Sequence, residues 1–166
     1  YNRFITVTLL KMKALVESDY QALDQGLTTR ILEEPIAKNT APAVALAARY
    51  CQKEFGDNAV LWVCPADHYI GNLQSLQKAL QMALSAANQG YVTTFGIVPS
   101  YPETGYGYIQ AGNSDQNFYT VDAFKEKPDL ETANKYLQAG GYFWNSGMFV
   151  FNARTMIELY QQYAPQ

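Results

Sequence analysis

Short apolar stretches alternate with helix-like segments between residues 29 and 99, and this alternation constrains the fold more than any other feature. Three stretches have the composition of strands, and the two segments between them carry apolar residues at helical spacing. In order, these are strand 29–35, helix 41–55, strand 59–64, helix 73–89 and strand 91–99. A β-α-β-α-β order predicts an α/β fold, with a parallel sheet covered by helices on both sides.

The segments on either side extend this prediction. Residues 3–23 place apolar side chains at roughly helical spacing, so we predict a helix there that ends before Gly26. Because this chain would then begin inside a helix, we expect it to be a fragment. After residue 100 we predict antiparallel strands 106–112 and 117–127 joined by a polar turn, helix 130–139, aromatic strand 142–151 and a last helix from Arg154.

Composition excludes several classes of partner. The 166 residues suit one domain, the net charge is -3, and no long Lys/Arg block occurs, which argues against nucleic acid. The apolar stretches are too short to cross a bilayer, so we expect no membrane partner. Cys51 and Cys64 lack CxxC spacing, and we interpret them as buried free thiols in a reducing cytoplasm.

An abrupt Asp67-His68 pair follows the apolar run of strand 59–64. In open α/β sheets, ligands lie beyond the carboxyl ends of the parallel strands. A carboxylate at that edge can bind a hard cation, which in turn gathers phosphate oxygens. The alternative is that Asp67 caps a turn and His68 packs against the fold, and a lone histidine favours that alternative for His68.

A polar loop, Lys38-Asn39-Thr40, precedes the predicted helix 41–55. Backbone N–H groups and the helix dipole at such a position favour a phosphate or a polar base edge. The alternative is an ordinary N-cap formed by Asn39 or Thr40.

Three later stretches combine glycine or polar residues with strand ends. Gly107 lies in PETGYGYI, where glycine permits close approach of a ligand or marks a strand entry with a bulge. In FKEKPD, Glu126 suits a sugar hydroxyl and Lys127 suits a phosphate, unless both are a solvated strand end. Asn145 interrupts an aromatic strand in FWNSGMF, which predicts a ligand contact or a bulge.

Together, these stretches resemble the sugar-1-phosphate nucleotidyltransferases, and among them the bacterial mannose-1-phosphate guanylyltransferases, also called GDP-mannose pyrophosphorylases. That family carries a nucleotide loop of the form E-P-x-x-[RK]-N-T-A-P-A. The matching motifs, in the family's order, are EPIAKNTAPA at 34–43, PADH at 65–68, TFGIVP at 94–99, PETGYGYI at 102–109, EKPD at 126–129 and WNSGMF at 144–149. The resemblance covers about residue 28 to the end of the chain, with a loose match around Arg3 and Phe4.

The resemblance implies a Rossmann-like α/β/α nucleotide-diphospho-sugar transferase fold, with a mixed, mostly parallel sheet flanked by helices. It also implies that GTP and mannose 1-phosphate give GDP-mannose and pyrophosphate with Mg²⁺. The phosphate of mannose 1-phosphate would attack the α phosphorus of GTP in line, which requires positioning and charge neutralisation. By the same resemblance, the implied roles are metal binding by Asp67; nucleotide binding by Asn39, Thr40, Ala41 and Pro42; sugar binding by Gly107, Glu126 and Asn145; and phosphate neutralisation by Lys127.

Two departures from the family pattern shape the remaining expectations. The family's glycine-rich signature, with its arginine and lysine, is not in this sequence, and neither is its second metal-binding aspartate. We therefore expect residues 1–166 to be a single nucleotidyltransferase domain, incomplete at both ends and inactive alone. Three alternatives remain open: another base or sugar, a non-catalytic domain that binds sugar nucleotides, and a homo-oligomeric rather than monomeric state.

Overall fold

A computed structural model describes residues 3–23, 26–36, 38–115 and 118–164. The strands are β1 (Arg3–Leu9), β2 (Thr28–Glu34), β3 (Val60–Val63), β4 (Thr93–Ile97), β5 (Tyr108–Asp115), β6 (Phe118–Lys125) and β7 (Tyr142–Asn152). The helices are α1 (Lys13–Ala22), α2 (Thr40–Phe55), α3 (Leu73–Asn88), α4 (Leu130–Ala139) and α5 (Ala153–Tyr163). The chain divides into two compact units, a first unit of Tyr1–Ala59 with Ala153–Gln166 and a second unit of Val60–Asn152.

The predicted helix over residues 3–23 is wrong in its first third. Arg3–Leu9 is a strand that pairs in parallel with β2, in a register that runs from Arg3↔Thr28 to Leu9↔Glu34. A short 3₁₀ turn then leads into α1. The reason is the run Ile5-Thr6-Val7-Thr8, whose β-branched side chains lose rotamer freedom in a helix and suit a pleated strand.

The rest of the first unit packs around α2. The buried residues of α2 are Val44, Ala47, Ala48 and Cys51, and burial raises the pKa of the Cys51 thiol to about 11. Helix α5 lies against α2, and its Tyr160 hydroxyl donates to the Ala41 carbonyl. An ion pair of 3.0 Å joins Arg154 to Asp57.

In the second unit, β7 is the central strand of a five-stranded sheet. It pairs with β3, β4 and β5, and β5 also pairs with β6, and all of these pairings are antiparallel. The sheet is therefore not mostly parallel as predicted. Strands β3 and β4 run in the same direction, as a β-α-β crossover requires, but β7 pairs with both of them. Local sequence order could not indicate that a strand so distant along the chain would separate these two.

The core of the second unit lies between α3 and this sheet. Its buried residues are Leu80, Ala83 and Ala87 of α3, Phe95 of β4, and Met148 and Val150 of β7. Strand β7 thus contributes apolar side chains to this core. Its polar interruption, Asn145-Ser146-Gly147, is held by hydrogen bonds within the strand, from the Gly147 N–H to Asn145 and from the Met148 N–H to Ser146.

Most other predicted elements are confirmed within a residue or two. Helix α4 has the predicted bounds, and β5 and β6 form the predicted antiparallel pair, although part of their connecting turn lies outside the described residues. Cys64 is exposed rather than buried, because it follows the last residue of β3 and enters a loop. In the described part of the chain, no helix has the length and apolar character needed to cross a membrane.

Candidate functional site

The loop before α2, in the first unit, has a strained backbone at Asn39. Its φ is 62° and its ψ is -166°, a combination normally adopted by glycine and costing other residues about 1–3 kcal/mol. Asn39 occupies the N-cap position of α2, yet its side chain caps no backbone N–H of the described helix. An ordinary cap by Asn39 is therefore wrong, because that alternative required its side chain to accept a hydrogen bond from the first turn.

The N-terminus of α2, which follows Asn39, is exposed to solvent. Thr40 is the first residue of α2, and Thr40, Ala41 and Pro42 are all exposed. The first N–H groups of a helix have no partner within the helix, and the helix dipole makes this end positive. The loop therefore offers backbone donors, together with the exposed Asn39 amide, to an anion or to the polar edge of a base.

In the second unit, the structure brings together three of the predicted sugar-binding residues. Gly107 accepts a 2.8 Å hydrogen bond from the Asn145 N–H through its carbonyl oxygen. A Cβ added to Gly107 would lie 3.0 Å from Glu126 Oε2 and 3.7 Å from Asn145 Cβ. Gly107 thus leaves a space that is bordered by a carboxylate on one side and by Asn145 on the other.

Strand register explains this arrangement. Tyr108 of β5 is paired with Lys125 of β6 and with Trp144 of β7. In antiparallel strands, the position before Tyr108 lies beside the positions after Lys125 and Trp144. Gly107 therefore comes next to Glu126 and Asn145, although these residues lie far apart in the sequence.

Lys127 extends this group at the end of β6. Its Nζ lies 3.8 Å from Glu126 Oε1, and the side chains of Lys127 and Glu126 are 64% and 75% exposed. The φ of Lys127 is 40°, so the chain bends there in the left-handed region. Asn39 and Lys127 are the two non-glycine residues with positive φ in the described chain, and both lie in predicted ligand-binding motifs.

The Asn145 side chain is held in one orientation. Its Oδ1 accepts a 3.1 Å hydrogen bond from the Gly147 N–H and lies 3.4 Å from the Thr94 hydroxyl, which donates to the Met148 carbonyl at 3.0 Å. The sheet is irregular at this polar interruption, because the β4–β7 register shifts between Thr94, which pairs with Phe149, and Gly96, which pairs with Asn145. Both predicted alternatives are compatible with this geometry, because the bulge and a half-buried amide that can contact a ligand occur together.

Asp67 lies in the turn that follows β3. Its side chain is exposed, and no group of three or more potential metal ligands occurs among the described residues. Mg²⁺ commonly takes only one or two protein carboxylates and completes its shell with water and substrate phosphates. Asp67 therefore fits as one ligand of such an ion. His68 is exposed, so the alternative that it packs against the fold is wrong.

An aromatic group beside Gly107 was not predicted from the sequence. The Trp144 ring meets Tyr101 and Tyr106 edge to face, with ring centroids 4.9 and 5.5 Å apart. The Trp144 Nε1 atom is buried and has no acceptor in the described chain. Tyr101 and Tyr106, before and within PETGYGYI, were the available signal, but their partner comes from β7, which only strand register brings close.

Comparisons with known proteins identify the family of the chain. A family described as nucleotidyl transferase matches residues 1–166. The chain is 41% identical over 167 residues to mannose-1-phosphate guanylyltransferase of Sinorhizobium fredii, a match of 99% of this chain and 32% of that protein. It is 45% identical over 143 residues to the Escherichia coli enzyme of that name, a match of 84% and 30%.

A solved structure also matches nearly the whole chain. It is described as mannose-1-phosphate geranyltransferase from Thermus thermophilus, with 35% identity, a TM-score of 0.85, and coverage of 97% of this chain and 45% of that one. The chain spans about a third of the length of the curated relatives above. Because the family match extends from the first residue to the last, the chain belongs to the nucleotidyl transferase family.

Proposed function

We propose that the protein carrying this chain is a mannose-1-phosphate guanylyltransferase, which makes GDP-mannose and pyrophosphate from GTP and mannose 1-phosphate. The relatives with this name support the substrates, since they share 41% and 45% of their aligned residues with this chain. The residues that would bind each substrate belong to different units of the chain, the nucleotide loop to the first and the sugar-phosphate group to the second.

The grouping of Gly107, Glu126, Lys127 and Asn145 is the observation that carries the proposal. A carboxylate accepts hydrogen bonds from hydroxyl groups, and an amide can both donate and accept. The ammonium of Lys127, 3.8 Å from the Glu126 carboxylate, supplies the positive charge that a phosphate requires. A phosphorylated sugar can use all three groups, because its hydroxyls bind the carboxylate and the amide while its phosphate binds the ammonium.

The strained loop at Asn39 supports the nucleotide side. A non-glycine residue retains such a backbone only where the surroundings hold it, and residues of this kind concentrate at binding sites. The exposed Asn39 amide makes no capping bond to the described part of α2, and an amide can both donate to and accept from a base edge. The neighbouring N–H groups at the start of α2 would bind oxygen atoms of the nucleotide.

In the proposed reaction, an oxygen of the mannose 1-phosphate group attacks the α phosphorus of GTP. A new P–O bond forms, the bond to the β-phosphate oxygen breaks, and pyrophosphate leaves. Lys127 would neutralise the attacking phosphate and hold it in line, while Glu126 and Asn145 fix the sugar. Asp67 would hold Mg²⁺, which supplies charge neutralisation for the phosphate oxygens when bound.

The test is release of pyrophosphate by the full-length gene product from GTP and mannose 1-phosphate with Mg²⁺, with residues 1–166 assayed in parallel. A panel of ATP, CTP and UTP, and of glucose 1-phosphate, examines the alternative of another base or sugar. We expect GTP with mannose 1-phosphate to give the highest kcat/KM. Tight binding of GDP-mannose without turnover of any pair would instead support a non-catalytic sugar-nucleotide-binding domain.

A further inference from the structure

Gly147 lies beside two groups of the second unit that are far from each other in the sequence, the Asn145 side chain and Pro65. Its N–H donates a 3.1 Å hydrogen bond to Asn145 Oδ1. A backbone N–H can only donate, so the side-chain atom that faces it is the amide oxygen. Gly147 therefore determines the orientation of the Asn145 amide and leaves the NH₂ group on the other side, as a donor.

Gly147 is also constrained by the turn that carries Asp67. Its φ is 70°, and a Cβ at this position would lie 3.2 Å from Cγ of Pro65, closer than most side-chain contacts allow. Pro65 lies two residues before Asp67. The glycine is needed twice, once for its backbone conformation and once to leave space for the proline ring.

We propose that Gly147 is a positioning residue that couples the Pro65–Asp67 turn to the orientation of the Asn145 amide. The proposal rests on the proposed function for the identity of the ligand, but its physical content is independent of it. Only the absence of a Cβ leaves room for the Pro65 ring, so a side chain at position 147 has to displace either the turn or the backbone whose N–H holds Asn145. A variant that pushes Pro65 away from Gly147 therefore turns the Asn145 amide without altering Asn145.

The chain provides a matched control for backbone strain. Gly140 has a φ of 69°, within a degree of that of Gly147, and a Cβ added there would meet nothing within 4 Å. Gly140→Ala and Gly147→Ala thus place a Cβ at the same positive φ. In Gly147→Ala alone, that Cβ also meets Pro65 and lies on the residue whose N–H holds Asn145.

The first readout is the side-chain amide of Asn145 in the full-length gene product labelled with ¹⁵N-asparagine. Its NMR signals are assigned by their loss in Asn145→Asp. We expect Gly147→Ala to shift or broaden these signals and Gly140→Ala to leave them unchanged. Pro65→Ala added to Gly147→Ala should restore them in part, because it removes the atom that the new Cβ meets.

The second readout is kinetic. We expect the KM for mannose 1-phosphate to rise about tenfold in Gly147→Ala, as expected for one lost or misdirected hydrogen bond, and less than twofold in Gly140→Ala. The KM for GTP should change little in either variant. Equal effects of the two substitutions on the amide signals and on KM, or no recovery in the double variant, would overturn the coupling.

Pro65→Ala alone keeps the experiment decisive if Gly147→Ala does not fold, because it introduces no strained backbone. We then expect the Asn145 signals to shift in Pro65→Ala, and unchanged signals would overturn the proposal. The NMR readout does not depend on turnover. If the proposed function is wrong, the unmutated protein will be inactive. If the coupling is wrong, the Asn145 amide signals will not change when Pro65 or Gly147 is substituted.

Discussion

The two regions with candidate ligand-binding residues are built in different ways. In the first unit, residues 38–42 are one continuous segment, a short loop with a strained backbone at Asn39 that leads into the first turn of α2. In the second unit, Gly107, Glu126 and Asn145 meet because β5, β6 and β7 pair in one register. A local loop can lose a side chain with little effect elsewhere, whereas a group assembled by register depends on the whole sheet.

The largest effect is expected at Asp67, because loss of its charge should impair the reaction itself and not the binding of one substrate. In the full-length gene product, we expect Asp67→Asn to reduce kcat, measured with both substrates saturating, on the order of 100- to 1,000-fold. Asparagine keeps the shape of the side chain but loses the charge that offsets phosphate repulsion. Pyrophosphate release measures the effect, and circular dichroism checks the fold.

The exposed neighbour His68 is the control for that variant. His68→Gln should retain near-parental turnover, because no role in charge neutralisation is assigned to it. Parental turnover in Asp67→Asn would mean that Asp67 is only a residue of the turn after β3.

Lys127 should separate the two substrates. We expect Lys127→Ala to raise the KM for mannose 1-phosphate about 10- to 100-fold and to change the KM for GTP little. The reason is that the Lys127 ammonium would make a charged hydrogen bond to mannose 1-phosphate only. Steady-state kinetics with each substrate varied in turn measures this. Lys125→Ala, which removes an exposed lysine two residues earlier, should leave both values unchanged. A loss shared equally by both substrates would contradict the assignment.

Asn39 should show the opposite preference with a smaller effect. We expect Asn39→Gly to raise the KM for GTP about two- to tenfold, the size of one neutral hydrogen bond, and to leave mannose 1-phosphate unaffected. Glycine accepts the φ of 62° without strain, so the thermal midpoint should not fall. Asn39→Ala should show the same kinetic change with a lower thermal midpoint. If the two variants are equally stable, the backbone at Asn39 is not strained.

The smallest effect is expected at Asp129, which belongs to neither region's ligand contacts. Hydrogen bonds from the Thr132 side chain and backbone N–H hold the pKa of the Asp129 carboxyl below its usual value, at the N-cap of α4. A depressed pKa in the folded state stabilises the protein above the unfolded pKa, and this contribution is lost as pH falls through the folded pKa.

Asp129→Ala should therefore lower the thermal midpoint slightly at pH 7, and the difference from the unmutated protein should shrink below about pH 4. Asp129→Asn keeps a capping oxygen and should be milder at pH 7. Neither variant should change the KM of either substrate. A pH-independent difference would show that the charge of Asp129 does not contribute.

The sequence predicted most elements because their signals are local. Gly107, Glu126 and Asn145 were each named as candidates, but nothing in the spacing indicated that they share one place, since this follows from three strands in register. The strand Arg3–Leu9 was mistaken for a helix because its strand pairing is with β2, which lies about 20 residues further along the chain. Likewise, the Trp144 aromatic group and the space that Gly147 leaves for Pro65 depend on pairs that no local pattern encodes.

The position of β7 also has a consequence for how the second unit is made. Strands β3 and β4 leave the ribosome well before residues 142–152, yet both complete their hydrogen bonds with β7. Until then their edges present unpaired N–H and C=O groups, which are prone to pairing with other chains. Closing such distant pairs is slow. In pulsed hydrogen exchange during refolding, amides of β3 and β4 should become protected together with those of β7, and not before.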